Sequence, residues 1–301
     1  MMKRFTPILG LTVGTVLVGT AFPRSASAQT AREVARVAIP TTVQINNLLA
    51  PNSGGSGVII AKDDETYTVL TANHVVANPN SEYEIVTSRE NSHTVTNVIN
   101  LDFDPEPERG IDLAIVQFES DEDYPIAPVT DSEEATVGSG IYISGYPLPG
   151  TPGEEREYSF TNGIISNVRS SDEEGYLLRY DAVTRRGMSG GPVFDVSGRV
   201  VGIHGQGETT GVTEVVTREG TQGQEEAKTG FNFAIPANTF MELAEDVDGF
   251  SDRDMAIDDD PPAEVDSEEV ESSDVDDWFE AFAFELLEDV LRDVLRRFLP
   301  F

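Results

Sequence analysis

Three short runs carry residue types that can do nucleophilic chemistry together: Thr71-Ala72-Asn73-His74-Val75, Gly110-Ile111-Asp112-Leu113-Ala114 and Arg186-Gly187-Met188-Ser189-Gly190-Gly191-Pro192. A serine hydroxyl is a poor nucleophile at neutral pH. It needs a base within about 3 Å and a third group that orients the base. His74 fits the base, which later returns the proton to a leaving group. Asp112 fits the group that fixes the imidazole tautomer. The backbone N–H groups of Gly187 and Ser189 fit an oxyanion hole, where one donor contributes about 10²–10³ in rate. The glycines around Ser189 permit positive φ and close approach of backbone to a ligand. This is acyl-transfer chemistry, and it calls for no metal or organic cofactor. Any one run is weak evidence; the three in this order, separated by 38 and 77 residues, are much stronger.

The elements that must position these residues read as strands. Thr41–Ile45, Gly54–Ile60, Thr66–Thr71, Tyr83–Thr87, Thr94–Asn100 and Leu113–Phe118 are short apolar or alternating runs separated by polar turns. After an acid- and proline-rich stretch near 119–137 the pattern restarts. It runs through Gly140–Pro147 (a strand into a turn), Phe160–Val168, Tyr176–Val183, Pro192–Asp195, Val200–His204 and Phe231–Ile235. Strands this short and regular argue for an all-β barrel or sandwich rather than βαβ units. Two barrels at about 35–130 and 138–240 are the natural division, within a domain of 29–246. A short helix over Ala31–Ala38, ended by Pro40, precedes them, and a closing helix spans Ala237–Asp246.

The ends differ from the body. Lys3 and Arg4, the uncharged run Ile8–Phe22 and Ala26-Ser27-Ala28 predict a signal peptide of residues 1–28 and a mature start at Gln29. The apolar run has 15 residues, short of the roughly 20 a spanning helix needs. A secreted or periplasmic location follows, without an integral span after cleavage. There is no cysteine, so no disulfide framework exists to read. Residues 247–276 are acidic, poor in aromatics and broken by Pro261-Pro262. They read as a disordered linker that cannot bury enough apolar surface to order itself. Phe279, Phe282, Leu286, Val290, Val294 and Phe298 then recur at helical spacing. They predict an amphipathic helix within 277–301, over Asp277–Leu299, for self-association or docking on another protein.

The formal net charge of the 301-residue chain is −34, and loss of residues 1–28 takes it to about −37. Nucleic acid is excluded as a partner, because phosphate attraction needs a basic patch. Three lysines stand against 17 arginines, a pattern suited to solubility in high salt.

The ordered trio across two barrel-like halves resembles the bacterial trypsin-like, chymotrypsin-fold serine peptidases. It is similar to the glutamyl endopeptidase and HtrA-type branches over about residues 40–240. The resemblance implies two antiparallel six-stranded β-barrels with the site in the cleft between them. It also implies a triad of His74, Asp112 and Ser189, and polypeptide substrates. Animal trypsins carry an acid before the nucleophile that pairs with a new N-terminus; Met188 stands there, so that activation is not expected. No PDZ-like stretch follows residue 245, unlike the HtrA branch.

The same resemblance places a specificity pocket at Val183, Thr184 and His204. Glutamyl endopeptidases use a Thr five residues before the serine and a His fifteen after it. Thr184 and His204 stand at those offsets, and both can donate to a substrate carboxylate. A satisfied core histidine at 204 and a pocket for small or aliphatic side chains remain open beside this acidic-P1 reading. His93, among Asn91, Ser92 and Thr94, reads as a surface residue. Three functions stay in view: an exported serine endopeptidase, a catalytically weak binding or scaffold protein using its C-terminal helix, and a quality-control protein mixing peptidase and holdase roles.

Overall fold

The computed structural model describes residues 30–260 apart from 51–52, 103, 106–107, 152–153, 217–221, 246, 248–249, 251–254 and 259. The expected signal peptide and the expected helix at 277–299 lie outside the described residues.

The first half contains α1 (Ala31–Thr41), β1 (Thr42–Asn47), β2 (Gly54–Asp63), β3 (Thr66–Ala72), α2 (Asn73–Val76), β4 (Tyr83–Val86) and β5 (Ser92–Asn100). A two-residue pair, β6 (Asp104–Pro105) and β7 (Glu108–Arg109), precedes β8 (Leu113–Glu119). The second half contains β9 (Gly140–Gly145), β10 (Ser159–Val168), β11 (Leu178–Asp181), β12 (Pro192–Asp195), β13 (Val200–Val216), β14 (Gln222–Pro236) and α3 (Ala237–Ala244). Each half closes into a six-stranded antiparallel barrel. The orders are β1-β2-β3-β8-β5-β4 and β10-β11-β14-β13-β12-β9.

The near-continuous apolar runs of β2, β3 and β8 have a physical cause: both faces of these strands are buried. Ile59, Val69, Val116 and Phe118 point into the first barrel. Their alternating neighbours Val58, Ile60, Leu70, Leu113 and Ile115 pack in a second cluster with Phe194, Val200, Ile203, Phe233 and Ile235 of the other barrel. The two barrels therefore share a core. Val34 and Ala38 of α1 and Phe240 of α3 plug into that shared core. The interior of the second barrel holds Ile141, Ile143, Ile165, Leu178, Tyr180 and Val193.

Three expectations change. Pro40 does not end α1, which runs to Thr41. A proline in the last turn forfeits one N–H bond, to the Arg36 carbonyl, and Thr41 adds a hydroxyl bond to the Val37 carbonyl (2.7 Å). The acidic stretch after 246 is not free along its whole length either. Met255 bridges Ala61, and Ile257 bridges Val129. Arg199, with its side chain 3% exposed, pairs with Asp195 at 2.7 Å and reaches Asp258 at 3.5 Å. Backbone bridges at Met255 and Ile257, the partly buried Met255 side chain and a buried guanidinium dock what composition alone reads as a linker. His93 is also more than a surface residue: Nε2 bonds the Tyr124 hydroxyl at 2.8 Å and the ring lies 4.9 Å from that of Phe118.

Candidate active site

β3 ends at Ala72 and the chain turns into α2, which puts His74 at the barrel rim. Asp112 sits just before β8, the strand paired with β3, so the two residues meet through sheet register. The Asp112 carboxylate accepts from the His74 amide through Oδ1 (2.7 Å) and contacts His74 Nδ1 through Oδ2 (2.6 Å). An ionised carboxylate can only accept. Nδ1 therefore carries the proton, and Nε2 keeps its lone pair for use as a base. The His74 side chain is 47% exposed and that of Asp112 is 13% exposed, so the pair is anchored on one side and open on the other.

Ser189 lies on the turn entering β12. Gly187 and Gly190 have φ of +96° and +83°, conformations that favour glycine. At Gly190 a Cβ would fall 2.1 Å from Thr71 Oγ1 and 2.2 Å from the Ser56 carbonyl oxygen. That close approach presses the serine turn against the end of β3, three residues before His74. The Ser56 amide donates to the Ser189 carbonyl (2.8 Å), and the Gly190 amide donates to that of His204 (2.7 Å). Among the described residues, the Gly187 and Ser189 amides have no acceptor. The Ser189 hydroxyl donates to the Gly205 carbonyl at 2.8 Å.

A polar brace lies beneath the turn. Ser56 Oγ donates to the Gly187 carbonyl and accepts from the Tyr146 amide, both at 2.8 Å. Arg156 donates to the carbonyls of Gly187 (2.9 Å), Gly55 (2.8 Å) and Ile45 (3.1 Å), and also to the Tyr146 carbonyl. Every one of these oxygens is neutral, and burial pushes the guanidinium down to about 10. Arg156 thus ties the first barrel to the serine turn. In sequence it stands among Glu154, Glu155 and Glu157 and reads as surface charge, so it was not legible there. Tyr176 was also missed: its hydroxyl donates to Asp112 Oδ2.

Val183 and Thr184 line a groove of about 690 Å³ with Asn162, Asp181, Lys228 and Asn232. Val183 is 71% exposed. Thr184 Oγ1 donates to Asn232 Oδ1 at 2.5 Å. His204 is not part of that lining. It is buried, with Nδ1 at 2.7 Å from the Tyr180 hydroxyl, and burial pushes its pKa down to about 4. The structure brings two of the three expected pocket residues to one groove and buries the third, His204, against the Tyr180 hydroxyl.

Residues 55–203 match the family model of the trypsin-like peptidase domain. That span runs from the glycine before Ser56 to the strand beyond Ser189 and includes His74 and Asp112. The two-barrel body is a trypsin-like peptidase domain. It is 32% identical over 194 residues to a probable periplasmic serine endoprotease DegP-like of Hahella chejuensis, covering 64% of this chain and 34% of that protein. It is 30% identical over 207 residues to a serine protease Do-like HtrA of Lactococcus lactis, covering 66% and 46% respectively. A Bacillus subtilis protein of the same description is 26% identical over 204 residues, covering 65% and 39%. The chain thus spans less than half the length of each relative. Among the described residues of the trypsin-like chain, no helix is long and apolar enough to cross a membrane.

Proposed function

We propose that the protein is an exported serine endopeptidase that hydrolyses polypeptides through Ser189, His74 and Asp112. The observation that carries this is the His74–Asp112 pair, with its free Nε2, beside a serine turn held against the same strand end. Ser189 Oγ attacks the scissile carbonyl carbon while His74 Nε2 takes its proton. The carbonyl oxygen, now an oxyanion, faces the unpaired amides of Gly187 and Ser189. His74 then gives the proton to the leaving amine, which departs and leaves an acyl-enzyme ester. Water attacks that ester with the same base and frees Ser189. In the resting arrangement the Ser189 hydroxyl points to the Gly205 carbonyl, so bound substrate must turn it toward His74.

For the residue before the scissile bond, the acidic preference loses its cation at His204, which is neutral above about pH 4. Lys228 and Asp181 in the groove offset one another. A small or aliphatic side chain is the better fit. Export rests on residues 1–28 and on the relatives described as periplasmic. The helix expected at 277–299 is assigned to docking or self-association.

The test is a cleavage profile of the protein on a mixed peptide library beside Ser189→Ala. Cuts that vanish in the variant support the peptidase and give its preference. Absence of cuts in both proteins, with no labelling by a fluorophosphonate, overturns it and brings the scaffold reading forward.

A further inference from the structure

The Asp112 carboxylate has a partner that the triad does not account for. Oδ2, the oxygen that meets His74 Nδ1, also accepts from the hydroxyl of Tyr176. Tyr176 belongs to the other barrel. It ends the loop between β10 and β11 and is 2% exposed. That loop is rigidly built. Asp172 Oδ1 accepts from the amides of Glu174 (3.0 Å) and Tyr176 (3.2 Å), and Asp172 Oδ2 accepts from Arg169 (3.0 Å). The Arg169 guanidinium lies 3.9 Å over the Phe233 ring. The Glu174 carbonyl also accepts from the Asp112 amide at 3.0 Å, so one loop grips both the backbone and the side chain of the acid.

Room for the phenol comes from Gly205. A Cβ at that position would fall 2.0 Å from Tyr176 Cε1 and 2.3 Å from its hydroxyl oxygen. Any other residue there displaces the ring. The carbonyl of this same glycine accepts the Ser189 hydroxyl.

We propose that Tyr176 is a positioning residue: its phenol fixes the Asp112 carboxylate that orients His74, and Gly205 is a glycine so that the phenol can reach. The proposal rests on the reading of His74, Asp112 and Ser189 as the catalytic set. Hydrogen bonding to a charged group is among the stronger kinds. Burial and the Asp112 charge hold Tyr176 protonated, so it remains a donor across the working range. Without it, Oδ2 keeps His74 as its one side-chain donor. The carboxylate is freer to rotate, and more of its charge falls on the imidazole. The ionisable groups facing this cluster are His74, Asp172 and Glu174, with Arg169 paired to Asp172.

Full-length Tyr176→Phe would be compared with wild type by its inactivation rate with an alkyl fluorophosphonate across pH. The expected result is a rate lower by about ten- to a hundredfold, with its acidic limb moved to higher pH. Tyr176→Ala should lose as much, and Tyr176→Ala/Gly205→Ser should regain part of it. A Cβ at 205 starts within bonding reach of the vacated phenol oxygen, so a serine hydroxyl can stand in for it. The His74 imidazole is also titrated by NMR in Ser189→Ala with and without Tyr176→Phe. Its pKa should rise on loss of the phenol. Unchanged rate and limb in Tyr176→Phe, or an unchanged His74 titration, overturns the proposal. A wild type inert to the fluorophosphonate sinks the peptidase reading instead, and the His74 titration still decides the role of Tyr176.

Discussion

The guanidinium of Arg156 donates to the carbonyl of Gly187 across 2.9 Å, and the same side chain donates to Gly55 and Ile45 of the first barrel. The turn that carries Ser189 is thereby fastened to the barrel that carries His74. In animal trypsins the residue before the nucleophile is an acid held by a new N-terminus. Here Met188 is buried at that place, and the brace comes from below instead.

Arg156→Met takes a donor from the Gly55, Tyr146 and Gly187 carbonyls, of which Gly187 keeps Ser56 Oγ. A buried carbonyl left with no donor costs about 1–3 kcal/mol, and the serine turn loosens. The expected outcome is a fluorophosphonate rate at least about tenfold lower together with reduced stability to urea. Arg156→Lys keeps the charge but lacks the planar fork that reaches several oxygens, and should recover only part. A rate equal to wild type in the folded Met variant would detach Arg156 from the site.

Arg199 separates two ion pairs of unequal worth. Asp195 lies against it with both side chains largely buried, whereas the Asp258 side chain is 43% exposed. Removing one partner of a buried pair costs about 3–5 kcal/mol, while an exposed pair contributes about 0–1 kcal/mol. Arg199→Met should therefore lower the unfolding free energy by several times the effect of Asp258→Asn. Equal losses in denaturant titrations would show that the 255–260 segment, rather than Asp195, is what Arg199 serves.

His204 makes the domain acid-sensitive. An unfolded histidine titrates near 6.5, and burial in the fold pushes this one to about 4. Between those values the unfolded chain takes up a proton that the folded chain refuses. The contribution is complete above pH 6.5 and lost as the pH falls toward 4, at about 1.4 kcal/mol per unit, or roughly 3 kcal/mol in all. His204→Gln should flatten this part of the curve. Parallel curves for the two proteins between pH 7 and 4 would remove His204 from the account.

The division into two barrels and the places of most strands along the chain were readable because each strand is a local pattern, and strands buried on both faces leave long apolar runs. The His74, Asp112 and Ser189 runs were readable because each is a contiguous motif. Tyr176 and Gly205 were not, because neither belongs to a contiguous motif of the site and only the fold brings the glycine's bare Cα to the phenol. Arg156 stayed hidden because burial is a tertiary property and its neighbours in sequence are acids. The docked Met255 and Ile257 were masked by the acids around them, although their one-residue spacing is a strand signal.

The core shared between the barrels also fixes an order of assembly. The outward faces of β2, β3 and β8 pack against Val34 and Ala38 of α1 and against Phe194, Val200, Ile203, Phe233 and Ile235, and the last five are made later. A chain delivered N-terminus first thus holds His74 and Asp112 on a half-molecule whose apolar flank is covered only in part, by α1. Such a half has little reason to stay folded, since part of its outer layer of burial is missing. Base and acid exist before the nucleophile does, but the layer that sets them in place arrives with it.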